Sequence, residues 1–276
     1  MIQTNFGRQM SINEINIYYE LYGHENTKET IICLHGFLSS SFSFRRLIPY
    51  LTKHYNVISI DWPPFGKSGK SKRFHYSIRN LADTIIKLIE KLGIKHFTII
   101  GHSMGGQIAL NIAHSRPELV EKLILLSSSA YLKRSKQTLI FLSYFPFSHL
   151  FVKRYLERSG LERNLQNVVY NQTLIDQEMA NGYLEPFLQA EIFHALTRMI
   201  RDWEGDLSIE RLKEIETPSL LIWGEHDKVV PLHIGQQLTK DLKNSSLIIL
   251  NETGHLVPEE KPEEVMSHID EFISNG

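Results

Sequence analysis

The sequence of 276 residues predicts an α/β domain with a mostly parallel, eight-stranded sheet, helices on both faces and an inserted helical cap. Short apolar runs rich in β-branched residues alternate with longer amphipathic runs, which is typical of parallel strands joined by helices. The alternation stops between about residues 128 and 216, where only helical runs occur. A chain of this length is long enough for one large domain that carries an insertion.

The predicted strands divide into two antiparallel and six parallel ones. The opening stretch MSINEINIYYELYG predicts two antiparallel strands that turn at Asn13-Glu14 and lie at the edge of the sheet. Six apolar runs predict the parallel strands: TIICLH, NVISID, HFTIIG, KLILLS, SLLIWG and SLIIL. Apolar spacing, with Pro and Gly at the ends, predicts helices at about 43–52, 77–92, 104–115, 231–242 and 262–274.

The break in the alternation predicts an insertion over residues 128–216, between core segments 1–127 and 217–276. The insertion is rich in aromatic residues, and these suggest an apolar acyl or alcohol group in a ligand. Packing within the cap is the competing interpretation, and it is expected for most of these side chains. The residues are Phe141, Tyr144, Phe145, Phe147, Phe151, Phe187 and Phe193.

Composition argues against several classes of protein. A formal net charge of −1 without a long basic run does not indicate a nucleic-acid partner. Cys33 is the only cysteine, so no intrachain disulfide is possible, and we expect its thiol inside a buried strand. The most lipophilic stretch, residues 138–152, is too short to span a bilayer, and the first residues have no signal-peptide core. We therefore expect a cytoplasmic protein without stable membrane insertion.

The sequence predicts no nucleotide, metal or other cofactor. GKSGKS over residues 66–71 resembles a phosphate-binding loop, but Asp61 and Pro64 occupy the positions where that loop requires glycine. Neither a His-Glu-x-x-His nor a Cys-x-x-Cys pair is present. No feature of the sequence predicts an oligomeric state.

A serine bracketed by glycines lies between an apolar run and a run of small residues, in TIIGHSMGGQIAL. Gly-x-Ser-x-Gly between a strand and a helix presents a nucleophile, because the sharp turn lifts the hydroxyl clear of the sheet. We expect Gly101 and Gly105 to prevent clashes across this turn, and Gly106 to let the helix approach closely. Ser103 is the predicted nucleophile, and the alternative is a glycine-rich turn whose serine caps a helix.

A nucleophilic serine needs a base, and the base needs an acid that fixes its tautomer. Asp227 follows the strand SLLIWG and His255 follows the next strand, so both lie at the sheet edge where such loops meet. The order Ser103, Asp227, His255 is the one known for this motif. Taken alone, Asp227 could be a turn residue, and Glu225 is the rival candidate for the acid. Most of the 13 histidines are expected at the surface or in the core, so His255 is distinguished only by its place after the last strand.

Attack on a carbonyl places negative charge on its oxygen, which then needs hydrogen-bond donors. The backbone N–H of Met104, directly after the nucleophile, is one predicted donor. The other is the N–H of Phe37 in the loop HGFLSS, after the first parallel strand. His35 is expected to hold this loop by hydrogen bonds; it is also a rival base, but the chain order favours His255.

Five motifs together resemble the α/β-hydrolase fold superfamily from about residue 10 to 275: LHGF, DWPPFGKS, GHSMGG, GEHDKVVP and TGHLVPEEKPEEV. The resemblance implies that the cap over 128–216 covers the active site. It also implies five residue roles: Ser103 as nucleophile, Asp227 as acid, His255 as base, and Phe37 and Met104 as oxyanion donors.

Some branches of that superfamily fit less well. Haloalkane dehalogenases and epoxide hydrolases have aspartate at the position of Ser103, and dienelactone hydrolases have cysteine there. Proline iminopeptidases have a longer glycine-proline loop than HGFLSS, and carbon–carbon bond hydrolases tend to have one as well. The chain itself departs from the superfamily at Pro64, where glycine is usual.

The predicted function is hydrolysis of a carboxylic ester of a small, apolar substrate through an acyl-serine, as in carboxylesterases and lipases. Two alternatives stay open at this point. One is a cofactor-free perhydrolase or acyltransferase, in which peroxide or another acceptor replaces water. The other is a ligand-binding signalling protein that keeps the fold and the three residues but turns over slowly, since fold alone does not determine function.

Overall fold

An eight-stranded sheet forms the centre of the computed structural model, which describes residues 6–23, 29–159 and 161–274. The strands pair in the order β1-β2-β4-β3-β5-β6-β7-β8. β2 is antiparallel to both of its neighbours and all other pairs are parallel, which confirms the predicted sheet. The strands are β1 Phe6–Ile12, β2 Ile15–Tyr22, β3 Thr30–Leu34, β4 Asn56–Asp61, β5 Phe97–His102, β6 Val120–Leu126, β7 Ser219–Gly224 and β8 Ser245–Leu250.

Helices cover both faces of the sheet, and in the described ranges none is long and apolar enough to cross a membrane. Those of the core are α1 Ile48–Leu51, α2 Ile78–Lys91, α3 Met104–Ser115, α10 Leu232–Asp241, α11 Val257–Glu260 and α12 Pro262–Ser274. Those between β6 and β7 are α4 Gln137–Ser143, α5 Ser148–Ser159, α6 Leu161–Val168, α7 Gln177–Leu184, α8 Glu191–Asp202 and α9 Ile209–Leu212.

The burial pattern of β3 explains why the parallel strands are apolar on both sides. Ile32 and Leu34 belong to a core cluster that includes α2 and α3, whereas Ile31 and Cys33 belong to a second cluster that includes α1 and α12. Successive side chains of a strand point to opposite faces, so a strand covered on both faces needs an unbroken apolar run. Cys33 is fully buried as predicted, and burial raises the pKa of its thiol.

The hairpin at the sheet edge is also confirmed. Asn13 and Glu14 join β1 to β2 with φ of 49° and 63°, the left-handed pair of a two-residue hairpin turn. The Asn13 side-chain amide donates to Thr84 Oγ1 on α2 at 3.1 Å. The turn is therefore fixed to the body of the domain.

Of the five predicted core helices, the one at 43–52 is wrong in part. A 3₁₀ turn at Ser41–Phe44 precedes the single short helix α1. The Asp61 carboxylate accepts from the Ser41 N–H at 2.6 Å, and the Ser40 hydroxyl accepts from the Phe42 N–H at 3.3 Å. These side chains take up the N–H groups at the start of the segment, so the chain forms a tight turn there.

The insertion contains only helices in its described residues, apart from one isolated bridge between Lys133 and Gly205. Next to that bridge, the Leu132 N–H donates to Asp206 Oδ2 at 2.9 Å and the Asp206 N–H donates to the Leu132 carbonyl at 2.8 Å. The chain segments that enter and leave the insertion are thus hydrogen-bonded to each other. The exact division at 127/128 and 216/217 stays a prediction.

The expectation that most cap aromatics pack internally is wrong. Phe193 on α8 is buried, but five others are 52–75% exposed: Phe141, Tyr144, Phe145, Phe147 and Phe151. Helix α4 buries Ile140 instead, and α5 packs Val152 and Leu156 against the core. Phe141 and Phe151 therefore lie on exposed faces of these two helices, whereas Tyr144, Phe145 and Phe147 lie in the connection between them. The side chain of Phe187 lies outside the described residues.

Candidate active site

Ser103 lies at the sharp turn between β5 and α3, with φ 52° and ψ −119°. A positive φ is strained for a residue with a side chain and is kept where the surroundings hold it. Here the Ser103 N–H donates to the Leu126 carbonyl at 3.0 Å. The Ser103 carbonyl accepts from the N–H groups of Gly106 and Ser129, both at 3.0 Å. The backbone on both sides of the serine is therefore fixed.

The glycines around this turn are required by close approaches of backbone. A Cβ at Gly101 would lie 2.6 Å from the Gly106 Cα, across the turn as predicted. Gly105 is needed for a different reason, because its Cβ would lie 2.2 Å from the Leu34 carbonyl oxygen at the end of β3. Gly36, in the loop after β3, lies so close that its Cβ would be 3.1 Å from the Ser103 Cβ. The loop that carries Phe37 thus lies directly against the serine.

Asp227 and His255 form a buried pair. His255 Nδ1 donates to Asp227 Oδ2 at 2.8 Å, and the two side chains are 6% and 0% exposed. The other carboxylate oxygen accepts the N–H groups of Val229 and Val230, both at 2.8 Å. Burial alone would raise the pKa of Asp227, but the His255 hydrogen bond and charge and these two N–H groups hold it below its ordinary value. Asp227 is therefore an anion that fixes the ring of His255.

Glu225, the rival acid, points elsewhere. Its side chain is 47% exposed and its Oε2 lies 3.6 Å from His226 Nε2. The two-residue separation thus places the two carboxylates in different surroundings. Of these two acids, only Asp227 is bonded to His255 in the described structure.

The backbone of His255 is held from two sides by residues that sequence reasoning did not single out. Its N–H donates to the carbonyl of Val168, in the cap, at 2.7 Å. Its carbonyl accepts from His102 Nε2 at 2.9 Å. Burial, with the nearby His255, lowers the pKa of His102 to about 3, so this ring is neutral and donates through Nε2. His102 could have been noticed as the neighbour of Ser103, whereas Val168 has no sequence signal.

The loop after β3 is held by His35, which has the structural role predicted for it. Its Nδ1 donates to the Gly36 carbonyl at 2.7 Å, and its Nε2 accepts from the Trp62 N–H at 3.3 Å. Trp62 Nε1 donates in return to the His35 carbonyl at 2.7 Å. Burial lowers the pKa of His35 to about 3, so the ring stays neutral. Because both ring nitrogens are engaged, His35 is not available as a base.

The unusual Pro64 leaves this arrangement intact. Phe65, the next residue, packs edge-on against Trp62 at 4.5 Å and against Phe37 at 5.3 Å between ring centroids. Asp61 accepts from the N–H of Lys67 at 2.8 Å as well as from Ser41, so both ends of the loop are fixed. The Pro64 loop therefore supports the Phe37 loop from the side.

A cavity of about 370 Å³ brings Ser103, His255, Phe37 and His102 together. The remaining walls are mostly apolar and come from both the core and the cap, including Leu165, Val168, Ala180, Tyr183, Leu184, Val229 and Leu256. In the described part of its lining there is no lysine, arginine, aspartate or glutamate. The cavity thus combines a serine hydroxyl and a histidine ring with a mostly apolar, uncharged wall.

A family model described as alpha/beta hydrolase fold matches residues 29–262. The chain belongs to this family. The α/β hydrolase is 50% identical over 266 residues to the hydrolase YugF of Bacillus subtilis (strain 168), covering 96% of this chain and 97% of that one. It is 24% identical to the monoacylglycerol lipase abhd6-B of Xenopus laevis, over 93% of this chain and 79% of the relative.

A solved structure of a meta-cleavage product hydrolase from Pseudomonas fluorescens IP01 superimposes on this α/β hydrolase with a TM-score of 0.79. The two chains are 23% identical, and 98% of each is covered. At this identity the similarity establishes the shared fold. The shared fold includes the mostly parallel sheet and is consistent with the helical cap.

The described residues of the hydrolase contain no cluster of three or more His, Cys, Asp or Glu side chains that could hold a metal ion. Of the five residues predicted for the site, Ser103, His255 and Phe37 line the cavity and Asp227 is bonded to His255. Met104 begins α3 directly after the serine.

Proposed function

We propose that this α/β hydrolase cleaves a carboxylic ester of a small, apolar substrate through an acyl-serine intermediate on Ser103. The observation that carries the proposal is the buried 2.8 Å bond between Asp227 and His255 beside a cavity that also contains the strained Ser103. The relationship to a monoacylglycerol lipase agrees with an ester substrate. The catalytic roles of the individual residues are part of the proposal.

In the first step, the Ser103 hydroxyl oxygen attacks the ester carbonyl and its proton passes to His255 Nε2. Nδ1 is bonded to Asp227, so Nε2 is the ring nitrogen free to accept. The carbonyl oxygen becomes an oxyanion that accepts the N–H groups of Met104 and Phe37. A helix leaves its first N–H groups without intrahelical partners, so the Met104 N–H at the start of α3 is suited to this task.

In the second half, the bond between the carbonyl carbon and the leaving oxygen breaks, and His255 returns its proton to the alcohol. Water then attacks the acyl-serine, with His255 accepting its proton and returning it to Ser103 as the acid leaves. Asp227 stays ionised throughout and stabilises the charged imidazole.

The lining of the cavity supports an uncharged apolar ester. A substrate carboxylate buried in this space would have no lysine or arginine among the described lining residues to balance its charge. Burial of acyl or alkyl carbons against Leu165, Leu184 and Leu256 contributes roughly 0.8 kcal/mol for each methylene group. Affinity should therefore rise with chain length until the cavity is full.

The test is hydrolysis of p-nitrophenyl esters from acetate to decanoate by wild type and by Ser103→Ala. We expect kcat/KM to rise and then fall along the series, and the activity to be lost in the variant. Parallel reactions with hydrogen peroxide or an added alcohol separate hydrolysis from acyl transfer, because a transferase forms the peracid or the new ester. A folded wild-type protein without turnover on any ester of the series would refute the proposal.

A further inference from the structure

The outer side of the cap exposes large apolar side chains. Nine of them, within residues 139–155, are each at least 50% exposed. Monomeric soluble proteins rarely expose contiguous apolar patches of large area, and such patches mark interaction sites. We call this set the outer cap face: Leu139, Phe141, Leu142, Tyr144, Phe145, Phe147, Leu150, Phe151 and Tyr155.

Helix α5 has a clear inner and outer side. Val152 and Leu156, four residues apart, pack against the main core cluster. Phe151, Tyr155 and Arg158, spaced at i, i+4 and i+7, form an adjacent face that is exposed. The helix is thus docked on the domain by one face, while the second, aromatic face has no cover in the described structure.

The segment that carries the outer cap face is strongly basic. Between residues 132 and 158 there are six lysine and arginine residues and a single carboxylate, Glu157, in a chain whose overall net charge is −1. All six are exposed: Lys133, Arg134, Lys136, Lys153, Arg154 and Arg158. The one carboxylate lies 3.7 Å from Lys153. The face therefore has a large excess of positive charge beside its aromatic rings.

A cavity of about 310 Å³ adjoins this face and is lined by Phe145 and Phe147 together with five basic or imidazole side chains, Lys72, His149, His194, Arg198 and Arg201. The two imidazole rings stack with centroids 3.7 Å apart.

Acidic groups offset part of this charge. Asp202 accepts from Arg198 Nε at 2.7 Å, and Glu191 acts on His194 from the start of α8. Burial, His149 and Lys72 together outweigh Glu191 and lower the pKa of His194. Arg201 donates its Nε to Ser143 Oγ at 2.9 Å, which holds the guanidinium next to the Tyr144 ring.

We propose that the outer cap face is a docking site for an anionic phospholipid surface. The aromatic rings enter the boundary between headgroups and acyl chains, and the surrounding lysine and arginine side chains contact the lipid phosphates. The cavity lined by Lys72, Arg198 and Arg201 accepts one phosphate at the edge of the face. The contact is reversible adsorption to the surface, and the helices do not cross the bilayer.

Charge also argues against a second copy of this chain as the occupant. In a symmetric dimer the same patch faces itself, so six basic residues and one carboxylate would meet an identical set. Like charges brought together across an interface are unfavourable. An anionic surface complements both the aromatic rings and the charge.

The test is co-sedimentation with phosphatidylcholine vesicles, with and without phosphatidylglycerol, using wild type and Ser103→Ala. The Ser103→Ala protein separates docking from hydrolysis of vesicle lipid, so a failure of the ester proposal leaves this result readable. We expect both proteins to bind only the anionic vesicles, and salt to weaken binding. The triple variant Phe147→Ser/Phe151→Ser/Tyr155→Ser should bind at least about tenfold more weakly.

Two further variants test whether the loss of vesicle binding is specific to the outer cap face and how much its basic residues contribute to binding. Leu188→Ser is the matched control, because Leu188 is 80% exposed but lies outside the outer cap face; it should bind as wild type does. Arg154→Gln/Arg158→Gln should lose about fivefold in affinity for each charge removed.

Three results would overturn the proposal. The first is that folded wild type binds neither kind of vesicle. The second is that the triple variant binds like wild type. The third is concentration-dependent dimerisation that the triple variant abolishes, which would assign the face to self-association.

Discussion

Side chains in the loops at the carboxyl ends of the strands and side chains on the outer cap face differ in burial and in bonding. Asp227 and His255 are almost fully buried and bonded to each other, whereas Phe151 and Tyr155 are each 75% exposed. The first region is preorganised, with hydrogen bonds that fix each group before a substrate arrives. The second presents apolar side chains that no described residue covers. The difference separates the part of the molecule suited to chemistry from the part suited to contact.

The largest expected effect comes from breaking the buried pair. Asp227→Asn should lower kcat by about 10³–10⁴-fold, because the amide no longer fixes the correct tautomer of His255 or stabilises its cation. Glu225→Gln is the matched control on the same loop and should leave kcat unchanged, since its carboxylate is exposed. Steady-state kinetics on one p-nitrophenyl ester compare them. Equal losses in both variants would contradict the assignment of Asp227.

The next largest effect is expected when a proposed backbone donor to the oxyanion is removed. Phe37→Pro removes the N–H proposed for the oxyanion and should lower kcat by about 10²–10³-fold with little change in KM. Phe37→Ala keeps that N–H and should retain most of kcat, because only the partly exposed ring is lost. Circular dichroism and thermal melting confirm that both variants fold. Similar kcat values for the two would show that the N–H of this residue does not stabilise the oxyanion.

A smaller effect is expected at His102, which acts as a positioning residue through the His255 carbonyl. His102→Ala leaves that carbonyl without its 2.9 Å partner and should lower kcat by about 10- to 100-fold by displacing the base. His102→Gln keeps an N–H donor and should recover much of the loss. KM should change little in either variant. A loss of thermal stability without a change in kcat would mean that His102 is structural only.

The smallest effect is expected at Asp206, which is hydrogen-bonded to Leu132 where the chain enters and leaves the insertion. Burial, with Glu204, raises the pKa of Asp206 to about 7, although the Leu132 N–H opposes this. The folded state therefore binds a proton more tightly than the unfolded chain, so this group adds stability as pH falls from above 7 towards about 4. Asp206→Asn should raise Tm at pH 8 by about 2–4 °C and reduce the gain on going to pH 5.

The control for that prediction is Asp83→Asn, which changes an exposed carboxylate on α2. Differential scanning fluorimetry at both pH values compares the two variants with wild type. A lower Tm of Asp206→Asn at pH 8 would mean that the carboxylate charge stabilises the joint between Leu132 and Asp206.

The two regions also differ in how well the sequence predicts them. The fold and the meeting of Asp227 with His255 follow from local rules: parallel strands need apolar runs, and the loops after them share one edge. Gly101 and Gly105 are recognisable because the turn leaves no room for a Cβ. These features depend on a few residues each, so a motif is enough to find them.

The cap is harder to predict because one of its helices has two sets of apolar residues with helical spacing, and either set could face the core. On α5, both the aliphatic pair Val152 and Leu156 and the aromatic residues Phe151 and Tyr155 have helical spacing. Only the structure decides which face packs inward. The contact from the Val168 carbonyl to His255 is a backbone interaction between distant segments, so no side chain marks it.

The most direct test of the proposed active site is to locate the adduct of a fluorophosphonate probe by peptide mass spectrometry. We expect a single adduct on Ser103 in wild type, none in Ser103→Ala, and labelling at least about a hundredfold slower in His255→Ala, which lacks the base. Labelling of folded wild type at another serine, such as Ser39 or Ser129, or no labelling at all, would contradict the proposed active site.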